Sequence, residues 1–139
     1  MLSYKDKYKK FSIIGIYEAL VVDVYDGDSI TVVFDPFPDS KYSDNYWFKI
    51  RLAGIDTPEI KLPKNYPNRE IMKKKAIEVR DLLKSRILEK YITIDILGSD
   101  KYGRLLANIY ENDELLNEWL ISIGYAQSYN GGTKSKWLD

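Results

Sequence analysis

The 139-residue chain contains neither cysteine nor histidine. Without cysteine there is no disulfide framework or disulfide partner, no thiolate zinc centre, no iron–sulfur cluster and no cysteine nucleophile. Without histidine there is no Ser-His-Asp triad, no histidine general base and no histidine–metal site. No uninterrupted apolar run approaches the roughly 20 residues that cross a bilayer, so no membrane partner is expected. The N-terminal apolar stretch follows lysines in the manner of a secretory leader. Glu18 interrupts it, however, and no small-residue cleavage site follows before Asp23 and Asp26. A mature N-terminus and an intracellular, cytoplasmic location are therefore expected. Charge of one sign is not in excess either, with 21 Lys plus Arg against 21 Asp plus Glu. Chemistry at neutral pH is left to carboxylates, Lys, Arg, Tyr, hydroxyls or an oxygen-ligated metal.

What is present describes a folded chain. It is 45% apolar and 14% aromatic, too apolar for a disordered segment. Its length suits one domain over 1–139, with no internal repeat, and a monomer is expected. The zero net charge conceals a sorted pattern. Residues 1–60 carry −3, residues 61–104 carry +6 and residues 105–139 carry −3. A basic middle between acidic flanks is compatible with a phosphate-binding face opposite a metal site, and equally with a solvated Lys-rich helix.

Residues 13–24 and 29–34 are rich in Ile, Val and Tyr and flank Asp26-Gly27, which predicts a hairpin with a type I′ turn. Pro36, Pro38 and the polar residues after them make 35–45 a long exposed loop, and 46–53 a third strand ended by Gly54. Pro58, Pro63 and Pro67 break regular structure. Asn68 is expected to cap a helix reaching about residue 88, with Met72, Ala76, Val79, Leu83 and Ile87 as its apolar stripe. Residues 91–97 alternate as a fourth strand with Ile92, Ile94 and Ile96 on one face, and 104–110 form a fifth. Residues 114–123 predict a second helix, with Leu116, Trp119, Leu120 and Ile123 facing the core and Gly124 as its stop. The tail at 130–133 is expected to be flexible and Trp137 to pack. The fold class is thus mainly β with helices (α+β). It is a five-stranded, partly open OB-type barrel, with one helix between strands three and four and one after strand five.

Three segments carry chemistry-bearing residues: Asp26-Gly27-Asp28-Ser29, Arg51-Leu52-Ala53-Gly54-Ile55-Asp56-Thr57-Pro58-Glu59, and Asp100-Lys101-Tyr102-Gly103-Arg104. Singly, each reads as a turn, a helix start or a hairpin loop. Together their residue types match phosphodiester hydrolysis, which needs a cation on the phosphate oxygens, an activated water and donors for developing charge. Asp28 and Asp56 are hard oxygen ligands suited to Ca²⁺, completed by a backbone carbonyl and waters. Glu59 is placed to hold or deprotonate water, and Arg51 and Arg104 offer planar forks that match two phosphate oxygens.

These three segments, in this order and with a helix between the second and third, resemble the staphylococcal nuclease (thermonuclease) family. The likeness covers about residues 21–126, including Asn117-Glu118 and Gly124-Tyr125-Ala126. The resemblance implies an OB-type barrel and Ca²⁺-dependent cleavage of DNA and RNA to a 5′-hydroxyl and a 3′-phosphate. By that resemblance Asp28 and Asp56 are the calcium carboxylates, Thr57 gives a carbonyl ligand and Glu59 is the general base. Arg51 and Arg104 then bind phosphate, and Lys101 and Tyr102 contact a terminal phosphate. Ser29 stands where the family more often has Thr, and the 35–45 loop is longer than in the best-known member. The base-stacking aromatic is assigned first to Tyr129 and second to Tyr125. Two rival readings stay open: a degenerate, non-catalytic nucleic-acid or protein-binding module, and a plain single-strand-binding OB domain.

Overall fold

Period-two alternation puts Ile92, Ile94 and Ile96 on one face of a strand, each no more than 2% exposed, and the same pattern repeats around a closed barrel. The computed structural model describes residues 3–130, so the expectations for Trp137 and for the tail beyond residue 130 lie outside the described residues. In chain order the elements are α1 (Tyr4–Lys7), β1 (Gly15–Asp26), β2 (Ser29–Phe34), β3 (Tyr46–Leu52), β4 (Ile55–Asp56), α2 (Arg69–Ile87), β5 (Tyr91–Ser99), β6 (Leu105–Glu111), β7 (Glu114–Leu115), α3 (Leu116–Ser122) and β8 (Gln127–Ser128). The five expected strands are β1, β2, β3, β5 and β6, and the two expected helices are α2 and α3.

The strands lie in the order β3-β2-β1-β5-β6 with antiparallel neighbours. A parallel pairing of β3 with β6, matching Ile50 to Leu105 and Leu52 to Ala107, joins the two ends. The barrel is therefore closed rather than partly open, and closure pairs the Ile50–Leu52 end of β3 with the start of β6. Its interior is a continuous apolar cluster containing Val21, Ile30, Val32, Ile50, Leu52, Ile94 and Ile109. Helix α2 lies against β1 and buries Met72, Ala76, Val79, Leu83 and Ile87, the stripe its spacing predicted.

Several local expectations are corrected. The Asp26-Gly27 hairpin has no left-handed residue, so it is not a type I′ turn. The two-residue turn with both centres left-handed is Asn112-Asp113, at φ 49° and 66°, where Glu111 pairs with Glu114. Residues 114 and 115 thus form β7, and α3 begins at Leu116. Leu116 and Leu120 are buried and Trp119 packs on the core, but Ile123 is 41% exposed because α3 ends before it. Asn68 stands at the start of α2, where its carbonyl accepts the Met72 N–H at 2.9 Å. Its φ of 54° takes its side chain out of capping geometry, and no side-chain cap bond forms.

Gly27 is required by packing rather than by its dihedrals. A Cβ there would lie 2.4 Å from Val79 Cγ1 and 3.0 Å from Thr57 Cγ2, with α2 on one side and the segment after β4 on the other. Overpacking of this kind costs about 1–3 kcal/mol. Gly27→Ala is expected to lower the urea midpoint accordingly. The double variant with Val79→Ala should recover part of that loss, and an additive double variant would show that the contact is not the cause.

Candidate active site

Barrel closure delivers the first two segments to one place. Asp28 lies in the turn between β1 and β2, and its carbonyl accepts the Leu52 N–H at 2.9 Å, locking that turn to the end of β3. Arg51 is in register with Ser29 on β2 and with Leu106 on β6, so it stands where the parallel pairing closes the barrel. Gly54, at φ 75°, reverses the chain into β4, whose Asp56 pairs with Gln127 of β8. Asp28, Arg51, Asp56 and Thr57 are all buried.

The guanidinium of Arg51 lies between the two carboxylates. Its Nη1 is 3.4 Å from Asp28 Oδ2, its Nη2 is 3.7 Å from Asp56 Oδ1, and Nη1 also donates to the Leu52 carbonyl at 2.9 Å. Asp28 accepts two further bonds, from the Thr57 N–H at 3.1 Å and from the Ser29 hydroxyl at 3.1 Å. Ser in place of Thr therefore keeps a working hydroxyl. Tyr129 follows β8, its N–H donates to the Gly54 carbonyl at 2.9 Å, and its ring centroid lies 5.9 Å from the Arg51 guanidinium carbon.

The third segment is organised by Asp100. One oxygen accepts the backbone N–H groups of Tyr102 and Arg104, both at 2.9 Å, and the other accepts Arg104 Nε at 2.7 Å. Burial pushes the Asp100 carboxyl up, but these bonds and the Arg104 charge outweigh it and hold it below the usual carboxylate range. The Arg104 guanidinium sits 5.7 Å, and the Lys101 ammonium 5.2 Å, from the Tyr102 ring centroid. Arg51, Lys101, Tyr102, Arg104 and Tyr129 all line one cavity of about 710 Å³.

Glu59 lies in the exposed loop after β4. Its charge reaches Asp26, a site residue that the sequence presented only as part of a turn. Asp26 is raised to about 6, first by burial, with Asp28 and Glu59 adding to the rise while the Ile60 N–H and Arg80 oppose it. Its position two residues before Asp28 carried no signal of burial, which arises from tertiary packing. Tyr125 is placed apart from this cluster. Its hydroxyl donates to Glu78 on α2 at 2.6 Å, which raises its pKa, and it does not line the cavity.

The residues fit a hard cation. Two buried carboxylates converge on one guanidinium, and the Thr57 hydroxyl beside them is buried with no hydrogen-bond partner among the described residues. Among the described residues no three Asp, Glu, His or Cys side chains gather as a metal cluster. Such a cation would therefore take two carboxylates with carbonyl and water oxygens, a donor set that suits Ca²⁺ and not the softer transition metals.

The sequence was also compared with known proteins. It is 34% identical over 110 residues to a thermonuclease of Staphylococcus intermedius, covering 78% of this chain and 58% of that protein. It is 32% identical over 110 residues to an uncharacterized endonuclease of Escherichia coli O157:H7, covering 78% and 59%. With the staphylococcal-like nuclease CAN1 of Arabidopsis thaliana it shares 32% over 82 residues, covering 59% and 22%. The chain thus spans between about a fifth and three fifths of the length of these relatives. The family described as staphylococcal nuclease homologue matches residues 49–137, which hold Arg51, Asp56, Glu59, Arg104 and Tyr129. On that match, and with a closed five-stranded barrel, the chain belongs to the staphylococcal nuclease homologue family.

Proposed function

We propose that the chain is a Ca²⁺-dependent nuclease that hydrolyses phosphodiester bonds of DNA and RNA to a 5′-hydroxyl and a 3′-phosphate. The observation that carries this reading is the buried Asp28–Arg51–Asp56 arrangement, whose arginine lines one cavity together with Arg104. Names of relatives support it, since two of them are called nucleases and one an endonuclease.

In this reading Asp28, Asp56 and the Thr57 carbonyl hold the ion. Bound calcium supplies positive charge for the phosphate oxygens and for the water that attacks. Glu59, exposed beside the buried acids, holds that water and takes its proton as the new bond to phosphorus forms and the bond to the 5′-oxygen breaks. The departing oxygen gains its proton from solvent. Arg51 and Arg104 donate to the oxygens on which charge develops, each worth about 3–4 kcal/mol if it acts as one preorganised donor. Asp100 is a positioning residue, since it fixes the Arg104 Nε and the backbone beneath Tyr102. Tyr129 offers a ring for base stacking beside Arg51, and Lys101 and Tyr102 receive a terminal phosphate.

Digestion of single- and double-stranded DNA with Ca²⁺, and then with chelator, tests the proposal. Cleavage should require the ion, and Glu59→Gln should lower turnover by about 10²–10⁴-fold with an unchanged melting curve. Affinity without cleavage would select a binding module instead.

The metal residues have a readout independent of activity. Saturating Ca²⁺ should raise the melting temperature, by the equivalent of about 2.7 kcal/mol at a hundred times Kd. Asp56→Asn should abolish that shift, and a shift retained in this variant would remove Asp56 from the ligand set.

The role of Asp100 predicts an acid-sensitive term. Its folded pKa is depressed, so its contribution to stability is complete above the unfolded value of about 3.9 and is lost as pH falls through the lower folded value. The melting temperature of Asp100→Asn should therefore fall below that of the parent at pH 6, with the gap closing below pH 4. kcat should drop with it, because Arg104 loses its carboxylate.

A further inference from the structure

The outer face of β3 continues away from Arg51 with side chains that the proposed reaction does not use. By strand alternation Trp47, Lys49 and Arg51 share one face, while Phe48, Ile50 and Leu52 point into the core. Same-face neighbours along a strand are about 7 Å apart, a step comparable with one nucleotide of an extended chain. The parallel register of Ile50 with Leu105 and Arg51 with Leu106, continued by one residue, brings Arg104 to the level of Lys49 along the chain.

A second cavity, of about 300 Å³, confirms this adjacency. It is lined by Lys49, Thr31 and Tyr25 together with Arg104, which also lines the larger cavity, so one arginine joins the two recesses. Beyond Lys49, Trp47 is 65% exposed and lies opposite Val33 of β2, while Tyr25 is 51% exposed beside the smaller cavity. Large aromatic rings are left in solvent here while the alternate residues of β3 turn to the core, Ile50 and Leu52 fully buried and Phe48 partly so. The smaller cavity also holds Asp23 and Asp26. Asp23 is on β1, two strands away from Lys49 across Thr31, and Asp26 is buried at the end of β1, where its carboxylate accepts the Ile60 N–H at 3.3 Å. The cationic side of the recess is the β3–β6 side.

We infer that this face is a single-strand binding track that extends the proposed phosphate site. Lys49 takes the phosphate next to the one held by Arg51 and Arg104, and Trp47 stacks on a base beyond it. The occupant is single-stranded nucleic acid, because an unpaired strand alone offers both a free base face and a phosphate at this spacing. The inference rests on the nuclease reading for the central phosphate, but it is tested by binding rather than by cleavage. A duplex keeps its bases stacked and should gain nothing from Trp47.

The test is fluorescence polarisation of a labelled dinucleotide, a labelled 12-nucleotide single strand and the matching duplex, in chelator at low salt, with the full chain. Trp47→Ala and Lys49→Ala should each weaken binding of the 12-mer by about tenfold and leave the dinucleotide affinity unchanged, and Trp47→Ala should also leave the duplex affinity unchanged. Lys49→Ala should also reduce the slope of log affinity against log salt by about 0.7, the signature of one lost single-strand phosphate contact. Both side chains are exposed, so circular dichroism melts should match the parent. Unchanged 12-mer affinity in both variants overturns the track, as does equal weakening of the dinucleotide and the 12-mer. Failure of the parent to cleave with Ca²⁺ overturns the nuclease reading alone, because the length dependence is measured without cleavage.

Discussion

The arrangement on which the site depends is one guanidinium held between two buried carboxylates. Asp28, Arg51 and Asp56 come from the β1–β2 turn, the end of β3 and β4, and none is more than 7% exposed. Two carboxylates converging in a poorly solvated place repel, and removing the cation between them would typically cost about 3–5 kcal/mol. Arg51 is therefore needed by the fold as well as by any phosphate chemistry. Its own position is set by barrel closure, since the parallel β3–β6 pairing and the Asp28 carbonyl bond to Leu52 both meet at this end of the strand. The candidate site and the seam of the barrel are the same piece of structure.

The two arginines are consequently unlike each other. The Arg51 side chain is 8% exposed and shared among two carboxylates, a carbonyl and the face of Tyr129. The Arg104 side chain is 31% exposed and held by one carboxylate, Asp100, over the edge of Tyr102. On the proposed reading Asp28 and Asp56 would hold the ion as well as flank Arg51, whose remaining donors would serve the phosphate. Arg104 shares its carboxylate with no proposed ligand: Asp100 holds its Nε at 2.7 Å, and the residue lines the cavity. One arginine is thus tied to the proposed metal ligands and the other to the loop that carries it.

Much of this was legible in the sequence where a single element carries its own periodicity. The α2 stripe and the Ile92-Ile94-Ile96 face were read correctly because helix and strand periods repeat over enough residues to be distinguished. The two-residue strands β4, β7 and β8 were missed because no periodicity fits two residues, and they exist only through their partners. The left-handed turn was assigned to Asp26-Gly27 when Asn112-Asp113 adopts it. Asp-Gly is the commoner signal for such a turn, but Gly27 is needed for the close approach of Val79, 52 positions away in sequence and invisible to local reasoning. For the site, the motifs named residues that the fold does gather: Arg51, Lys101, Tyr102, Arg104 and Tyr129 line one cavity, with Asp28, Asp56 and Thr57 beside Arg51. Tyr125 was separated from them by its bond to Glu78, and Asp26 and Asp100 gained roles that only burial and geometry reveal.

Equal numbers of acidic and basic residues, 21 of each, leave no net field to draw a polyanion from a distance. On the proposed reading, selectivity for phosphate then comes from how charge is placed. Burial turns Asp28 and Asp56 inward against Arg51, and Asp100 faces inward against Arg104, so three carboxylates near the cavity are engaged by the cations they flank. What remains turned outward along the β3–β6 seam is cationic: Arg104 and Lys49, with Lys101 on the adjoining loop. A neutral chain arranged this way binds through a few short-range contacts instead of a broad potential. Its affinity should therefore depend on salt only as steeply as those contacts number, whereas a strongly basic nuclease would add a long-range term over its whole surface.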